Sequence, residues 1–140
     1  MTPSTIRVLH VEDDPIQQLL MAHQLAEMRE FAFEITVASS EDDALARFPG
    51  GGFELVILDY HLEQGDGVNC LRRIRELDRI VPIITVSGAA TDEIAAVLIS
   101  VGADDYLAKQ IMESKILRQS VRNVLTRAQA FRTRFAALEK

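Results

Sequence analysis

Residues 55–67 read LVILDYHLEQGDG, an apolar run of four residues that ends at Asp59 and is followed by a loop with two glycines. A run of branched aliphatic residues without polar alternation is typical of a strand that is covered on both faces. We therefore predict a buried strand over residues 55–58. After the loop, apolar residues recur at helical spacing, which predicts a helix over residues 68–77. Its apolar face would consist of Val68, Leu71, Ile74 and Leu77.

The same alternation of strand and helix extends in both directions from this stretch. Further strands are predicted at residues 6–11, 34–38, 82–86 and 105–108. Capping residues place helices after Asp14, after Ser40, between Thr91 and Gly102, and from residue 113 onward. In the first helix, the residues that recur at helical spacing are Ile16, Leu19, Leu20, His23 and Ala26. Five strands that alternate with five helices predict an open α/β fold, a parallel sheet with helices on both faces.

Composition limits the classes of protein that this chain can represent. It has 140 residues, of which 48% are apolar and 26% charged, as in one ordinary globular domain. Its single cysteine, Cys70, forms no internal disulfide, and the apolar run near the N-terminus is too short for a signal sequence or a membrane span. We expect a soluble, cytoplasmic protein that makes no contact with membranes.

Charge is distributed unevenly along the chain. Residues 1–112 carry 8 basic and 19 acidic side chains, whereas residues 113–140 carry 7 basic and 2 acidic ones. An acidic body disfavours nucleic acid as a partner, because binding to a phosphate backbone needs a basic surface. The basic segment at the end has no recognisable DNA-reading motif, so its arginines are interpreted as solvated surface.

Polar residues stand at the ends of four predicted strands. Glu12 and Asp13 follow the first strand, Asp59 the third, Ser87 the fourth and Lys109 the fifth. Any one of them is explained as an ordinary turn residue. In a parallel α/β sheet, however, the carboxyl ends of the strands form the ligand site. Three carboxylates at that edge repel one another unless a cation joins them.

The residue types at this edge indicate phosphoryl transfer. Carboxylates and water are the ligands that Mg²⁺ prefers, with phosphate oxygens completing its coordination. A lysine and a hydroxyl, here Lys109 and Ser87, would hold phosphoryl oxygens, and the Asp59 carboxylate could act as the covalent nucleophile.

Four segments together resemble the response-regulator receiver family of two-component signalling. They are VLHVEDDP at 8–15, LVILDYHLEQGDG at 55–67, IITVSGAA at 83–90 and GADDYLAK at 102–109. The resemblance covers about residues 5–127, which it marks as the receiver domain, and leaves residues 128–140 as a helical extension. It implies a flavodoxin-like strand order of 2-1-3-4-5.

The family resemblance also implies roles for the strand-end residues. The implied ligands of the magnesium ion are Glu12, Asp13, Asp59 and the backbone carbonyl of His61. Asp59 would be the phosphoacceptor, and Ser87 and Lys109 would contact the phosphoryl group. Tyr106 would swing inward together with Ser87 when the protein switches.

The implied phosphodonor is a histidine kinase or a phosphotransfer protein, and the implied target is a downstream protein or a fused output domain. Such a chain catalyses its own modification and is not an enzyme with an external substrate. The chain departs from the family where Glu63 and Gln64 replace a frequent proline and glycine, and where Gln110 replaces the usual proline. These changes bear on loop geometry and on the lifetime of the phosphoryl group.

Two alternative functions fit the sequence less well. A phosphohydrolase of the haloacid dehalogenase type needs a second acid two residues after the nucleophile, and that position is His61. A receiver-like interaction module that is never phosphorylated should lack part of the acidic pair, Asp59 or Lys109, all of which are present. His61 is expected to act through its backbone, and His10 is expected to be a packed core residue.

The last helix carries a heptad seam. Apolar residues follow one another at spacings of four and three: Leu117, Val121, Val124, Ala128, Phe131, Phe135 and Leu138. Up to about Leu125 we expect the seam to pack on the sheet. Beyond that point no sheet is expected to cover Phe131 and Phe135, and exposed apolar patches indicate a partner. The extension is predicted to pair with a second copy or to continue into an output domain.

Overall fold

The computed structural model describes residues 3–88, 91–109 and 114–139. The strands are β1 (Ser4–Val11), β2 (Phe31–Ala38), β3 (Leu55–Asp59), β4 (Ile83–Ser87) and β5 (Asp105–Ala108). The helices are α1 (Pro15–Ala26), α2 (Glu41–Arg47), α3 (Gly67–Leu77), α4 (Asp92–Val101) and α5 (Ser114–Glu139). All paired strands are parallel, in the order β2-β1-β3-β4-β5. The predicted fold class and strand order are confirmed.

The sheet separates two apolar cores. Successive residues of a strand point to opposite faces, so Val8 and Leu9 of β1 enter different cores. One core packs β-strand residues against α2, α3 and α4, and the other packs them against α1 and α5. Because both faces are covered, every residue of β3 and β4 is buried. This double burial explains the uninterrupted apolar runs in the sequence.

Three predicted helix caps are confirmed. The side chains of Asp14, Ser40 and Thr91 accept hydrogen bonds from backbone N–H groups in the first turns of α1, α2 and α4. Such caps satisfy N–H groups that have no partner within the helix. At Gly102, which ends α4, φ is 129°, a conformation that favours glycine. These caps fix where each helix begins relative to the strand end before it.

The residues that pack α1 against the sheet are not the ones that recur at helical spacing from Ile16. Ile16 and Leu19 are 67% and 73% exposed, and the residues that pack against the sheet are Met21 and Leu25. The helix carries two apolar stripes, and the one that reaches the core starts later in the sequence. Elsewhere the differences are smaller: β2 begins at Phe31 instead of residue 34, and Leu77 of α3 is exposed.

The last helix has the length that the seam predicted. Leu117, Val121 and Val124 are buried against the sheet, and Ala128 is the last seam residue that is buried. Farther along, Phe131 and Phe135 are 52% and 51% exposed. Within the described residues, no helix combines the length and apolar character needed to cross a membrane.

Candidate functional site

Three carboxylates meet at the carboxyl edge of the sheet. Val11 of β1 is in register with Leu58 of β3, so the residues that follow them, Glu12 and Asp59, lie side by side. Glu12 and Asp59 are buried, and Asp13 is half-buried. One oxygen from each of the three lies within 4.8 Å of the others. The predicted acidic group is therefore brought together, and the structure shows that it could hold a metal ion.

Lys109 supplies the positive charge in this pocket. Its ammonium nitrogen lies 3.0 Å from Oε1 of Glu12 and 3.2 Å from Oδ2 of Asp59. Burial lowers the pKa of Lys109, but the hydrogen bond to Glu12 and the charge of Asp59 outweigh it and raise that pKa. Lys109 is therefore a fixed cation that bridges the ends of β1 and β3.

One ammonium group does not neutralise the pocket. Burial first, and then the nearby charge of Asp59, raise the pKa of Glu12 from 4.5 to about 7. A raised carboxyl pKa means that the surroundings of Glu12 in the folded protein disfavour its charged form. A hard divalent cation would stabilise the charged form, and carboxylate oxygens are the ligands that such cations prefer. The residues present thus fit a divalent metal ion.

Backbone groups hold the acidic side chains in place. Oδ2 of Asp13 accepts a hydrogen bond of 2.7 Å from the Glu63 N–H in the loop after β3. Oε2 of Glu12 accepts one from the Asp14 N–H at 3.2 Å. The Gln18 side chain of α1 donates to the Glu12 carbonyl at 2.7 Å. Gln18 could not be predicted from the sequence, because no spacing rule links a helix glutamine to the preceding strand.

The remaining predicted site residues lie at the same edge or close to it. Ser87 is buried at the end of β4, one residue beyond Val86, which is in register with Asp59. Tyr106 is a half-buried residue of β5 that packs against the core shared by α2, α3 and α4. The His61 N–H donates to Oδ1 of Asp59 at 3.2 Å, and its imidazole is exposed. The metal contact of the His61 carbonyl stays a prediction, and Gln110 lies outside the described residues.

His10 is buried behind the acidic pocket, as predicted for a core residue. Burial, and secondarily the charge of Lys109, lower its pKa from 6.5 to about 4. Its Nδ1 atom has no hydrogen-bond partner among the described residues. His10 is therefore neutral at physiological pH and places no second positive charge beside Lys109.

The sequence of this chain is similar to those of known proteins. The family model described as "Response regulator receiver domain" matches residues 8–129. The transcriptional regulatory protein TcrA of Mycobacterium tuberculosis is 39% identical over 108 residues, which are 76% of this chain and 41% of that protein. TrcR of the same organism is 31% identical over 127 residues, 89% of this chain and 47% of that protein. The chain thus spans less than half the length of these two relatives.

Solved structures share the fold. The crystal structure of NtrX from Brucella abortus has a TM-score of 0.85 and 25% identity, covering 95% of this chain and 29% of that one. A CheY-like receiver domain protein from Methanospirillum hungatei has a TM-score of 0.81 at 24% identity, covering 91% of this chain and 98% of that one. The family model spans most of the chain, so this chain belongs to the response regulator receiver domains of two-component signalling.

Proposed function

We propose that this receiver domain accepts a phosphoryl group on Asp59 from a phosphohistidine of a histidine kinase or phosphotransfer protein. The observation that carries the proposal is the position of the Asp59 carboxylate, which is buried beside the Lys109 ammonium and shares its pocket with Glu12 and Asp13. A carboxylate beside a fixed cation suits attack on an anionic phosphoryl group, because the cation offsets the charge repulsion.

The proposed step forms one bond and breaks one. A carboxylate oxygen of Asp59 attacks phosphorus, and the phosphorus–nitrogen bond to the imidazole breaks. The imidazole is protonated on its other nitrogen before transfer, so the ring that keeps the electron pair leaves as neutral imidazole. Hydrolysis of the resulting acyl phosphate by water releases inorganic phosphate and restores the Asp59 carboxylate. The chain thus acts as a signalling domain that modifies only itself.

We propose Mg²⁺ as the metal. Glu12, Asp13 and Asp59, with the backbone carbonyl of His61, would hold it, and their oxygens are hard ligands. When bound, Mg²⁺ neutralises charge on the phosphoryl oxygens. Lys109 would contact the transferred group, and Ser87 would donate a hydrogen bond to it. The coupled rearrangement of Ser87 and Tyr106 is proposed as the switch that changes the partner surface.

Intact-mass analysis with phosphoramidate tests the proposal, because this small donor carries the same phosphorus–nitrogen bond as phosphohistidine. With Mg²⁺ the chain should gain one phosphoryl group, and with EDTA in its place it should gain none. Borohydride reduction should convert the modified residue, expected at position 59, to homoserine. A folded chain that binds Mg²⁺ yet gains no mass would instead support an interaction module that works without phosphorylation.

We propose that residues 5–127 form the receiver and that residues 128–140 extend α5 as an interaction segment for a second copy. The rings of Phe131 and Phe135 stack with centroids 6.3 Å apart, and each side chain is about half exposed. Leu138 continues the seam at 85% exposure. A seam of this kind on a helix is buried by pairing with a similar helix. An output domain, fused or separate, is the alternative occupant.

Sedimentation of the chain at micromolar concentration should give a mass of twice 15.6 kDa. The double variant Phe131→Glu and Phe135→Glu should sediment as a monomer, because charged seam residues repel across the pair. Leu77→Glu, which places the same charge at an exposed apolar site on α3, should remain a dimer. A wild-type monomer both with and without phosphorylation would contradict self-pairing and leave the output domain as the occupant.

A further inference from the structure

The loop between β3 and α3, residues 60–66, forms one wall of the acidic pocket. At its start the Tyr60 N–H donates to the Val86 carbonyl at 2.8 Å, and the His61 N–H reaches the Asp59 carboxylate. In its middle the Glu63 N–H holds the Asp13 carboxylate at 2.7 Å. The conformation of this loop therefore decides where one of the three carboxylates lies.

The loop contains no proline, so contacts with the rest of the chain have to fix it. Its second half is held by Glu41, in the first turn of α2, through both the side chain and the backbone N–H of that residue. Oε1 of Glu41 accepts a hydrogen bond from the Asp66 N–H at 2.9 Å, and the Glu41 N–H donates to the Gln64 carbonyl at 3.3 Å. The loop is thus attached to α2 immediately after Glu63.

Glu41 is itself held from two further directions. Its Oε2 accepts from the Asn69 amide at 2.6 Å and from the Arg73 guanidinium at 2.8 Å, both on α3. The side chain is buried. Burial raises the pKa of Glu41, but the hydrogen bonds from Asp66, Arg73 and Asn69 outweigh it and leave that pKa below its usual value. Glu41 is therefore a buried carboxylate that stays charged because donors surround it.

Gly65 makes this attachment possible. At Gly65 φ is 107°, and a Cβ atom there would lie 2.5 Å from the Cβ of Glu41. Only glycine combines that backbone conformation with so close an approach. Glu41 and Gly65 thus fit each other, and only Gln64 separates Gly65 from Glu63. A displacement at Gly65 would pass directly to the N–H group that holds Asp13.

We propose that Glu41 is a positioning residue for the acidic pocket: by attaching residues 64–66 to α2 and α3, it sets how tightly the pocket binds a divalent cation. Glu41 itself touches no ligand atom of the pocket in this scheme. The proposal rests on the function proposed above. Residues behind a metal site orient the side chains that bind the metal. The loss of such a residue therefore weakens metal affinity.

The test compares Mg²⁺ affinity in Glu41→Gln and Asp42→Asn by calorimetric titration, alongside urea unfolding in EDTA. Asp42 is the neighbouring acid of α2 and is 96% exposed, so its variant removes the same charge without touching the loop. We expect Glu41→Gln to raise the Kd for Mg²⁺ about tenfold. Asp42→Asn should leave the Kd within twofold of the wild-type value. A merely structural role would lower the free energy of unfolding in EDTA and leave the Kd unchanged.

Gly65→Ala provides a second approach from the loop side, without a change of charge. Gly65→Ala should weaken Mg²⁺ binding, as Glu41→Gln should. Mg²⁺ affinity in both variants equal to that of the wild type would overturn the positioning role while leaving the phosphoacceptor proposal intact. A wild-type chain that binds no Mg²⁺ would overturn both proposals at once, so the two failures are distinguishable.

Discussion

Replacing Asp59 with asparagine is expected to abolish phosphoryl uptake and, in EDTA, to raise the free energy of unfolding by about 1 to 3 kcal/mol. Uptake is lost because an amide is not a nucleophile for phosphorus. Stability rises because two buried carboxylates, Glu12 and Asp59, share the single ammonium group of Lys109. The variant leaves one buried carboxylate with one ammonium, and its amide oxygen still accepts the His61 N–H.

The gain in stability should depend on pH. Asp59 is the second cause, after burial, of the raised pKa of Glu12. Between pH 4.5 and about 7 the folded protein keeps a proton on Glu12 that the unfolded chain has released. The stability of the wild type therefore falls as pH rises through this window, and the fall should be smaller in the variant. The difference between the two proteins should thus grow with pH.

Urea unfolding in EDTA from pH 4.5 to 8 measures this difference. His10 of the unfolded chain, whose pKa is 6.5, also titrates in this range, whereas burial lowers the pKa of His10 in the folded protein to about 4. His10 is present in both proteins, so its contribution largely cancels. Glu76→Gln, at an exposed position of α3, controls for the loss of one negative charge and should change stability little. A variant that is less stable than the wild type at pH 8 would show that the carboxylates do not repel as argued. Millimolar Mg²⁺ should stabilise the wild type more than the variant.

The second large effect is expected from Arg75→Met, which should lower the free energy of unfolding by about 3 kcal/mol. The Arg75 side chain is only 14% exposed. Its guanidinium donates to the carbonyls of Gly102 at 2.8 Å, Asp78 at 3.2 Å and Val81 at 2.6 Å. It also pairs with the Asp104 carboxylate at 2.9 Å. Removal leaves three carbonyls and one carboxylate without this donor.

The loss of stability would extend to β4 and β5, the strands that carry Ser87 and Tyr106. The Asp104 carboxylate also accepts a hydrogen bond from the Ile83 N–H at 2.8 Å, at the start of β4. Arg72 is an exposed residue of α3, the helix that also carries Arg75, so Arg72→Met is the matched control. Its free energy of unfolding should stay within about 0.5 kcal/mol of the wild-type value. Urea unfolding at one pH suffices for this comparison. Equal losses in both variants would show that the interior hydrogen bonds of Arg75 contribute nothing.

Strand ends and helix caps could be predicted because they follow from local rules. A strand covered on both faces is uniformly apolar, and its first polar residue marks its end, as at Asp59. The face of α1 could not be predicted, because the helix carries two apolar stripes. Periodicity identifies a stripe, but only the tertiary structure decides that Met21 and Leu25 face the sheet while Leu19 faces outward.

The strand-end residues of the candidate site could be predicted from the sequence, but the residues that hold them in place could not. Parallel topology brings the ends of neighbouring strands together, so Glu12 and Asp59 could be paired from sequence alone. Glu41 could not, because it is one of three consecutive acids in the first turn of α2. What distinguishes it is its neighbours Asn69 and Arg73, which are about 30 residues away in sequence and meet it only in the folded chain.

The bridge formed by Lys109 also bears on which ions the pocket would accept. The ammonium group already supplies one positive charge between Glu12 and Asp59. A sodium or potassium ion that bound beside it would add only one further charge, at the cost of its own dehydration. A divalent ion brings twice as much. We therefore expect the tethered ammonium to favour a divalent ion over a monovalent ion in this pocket.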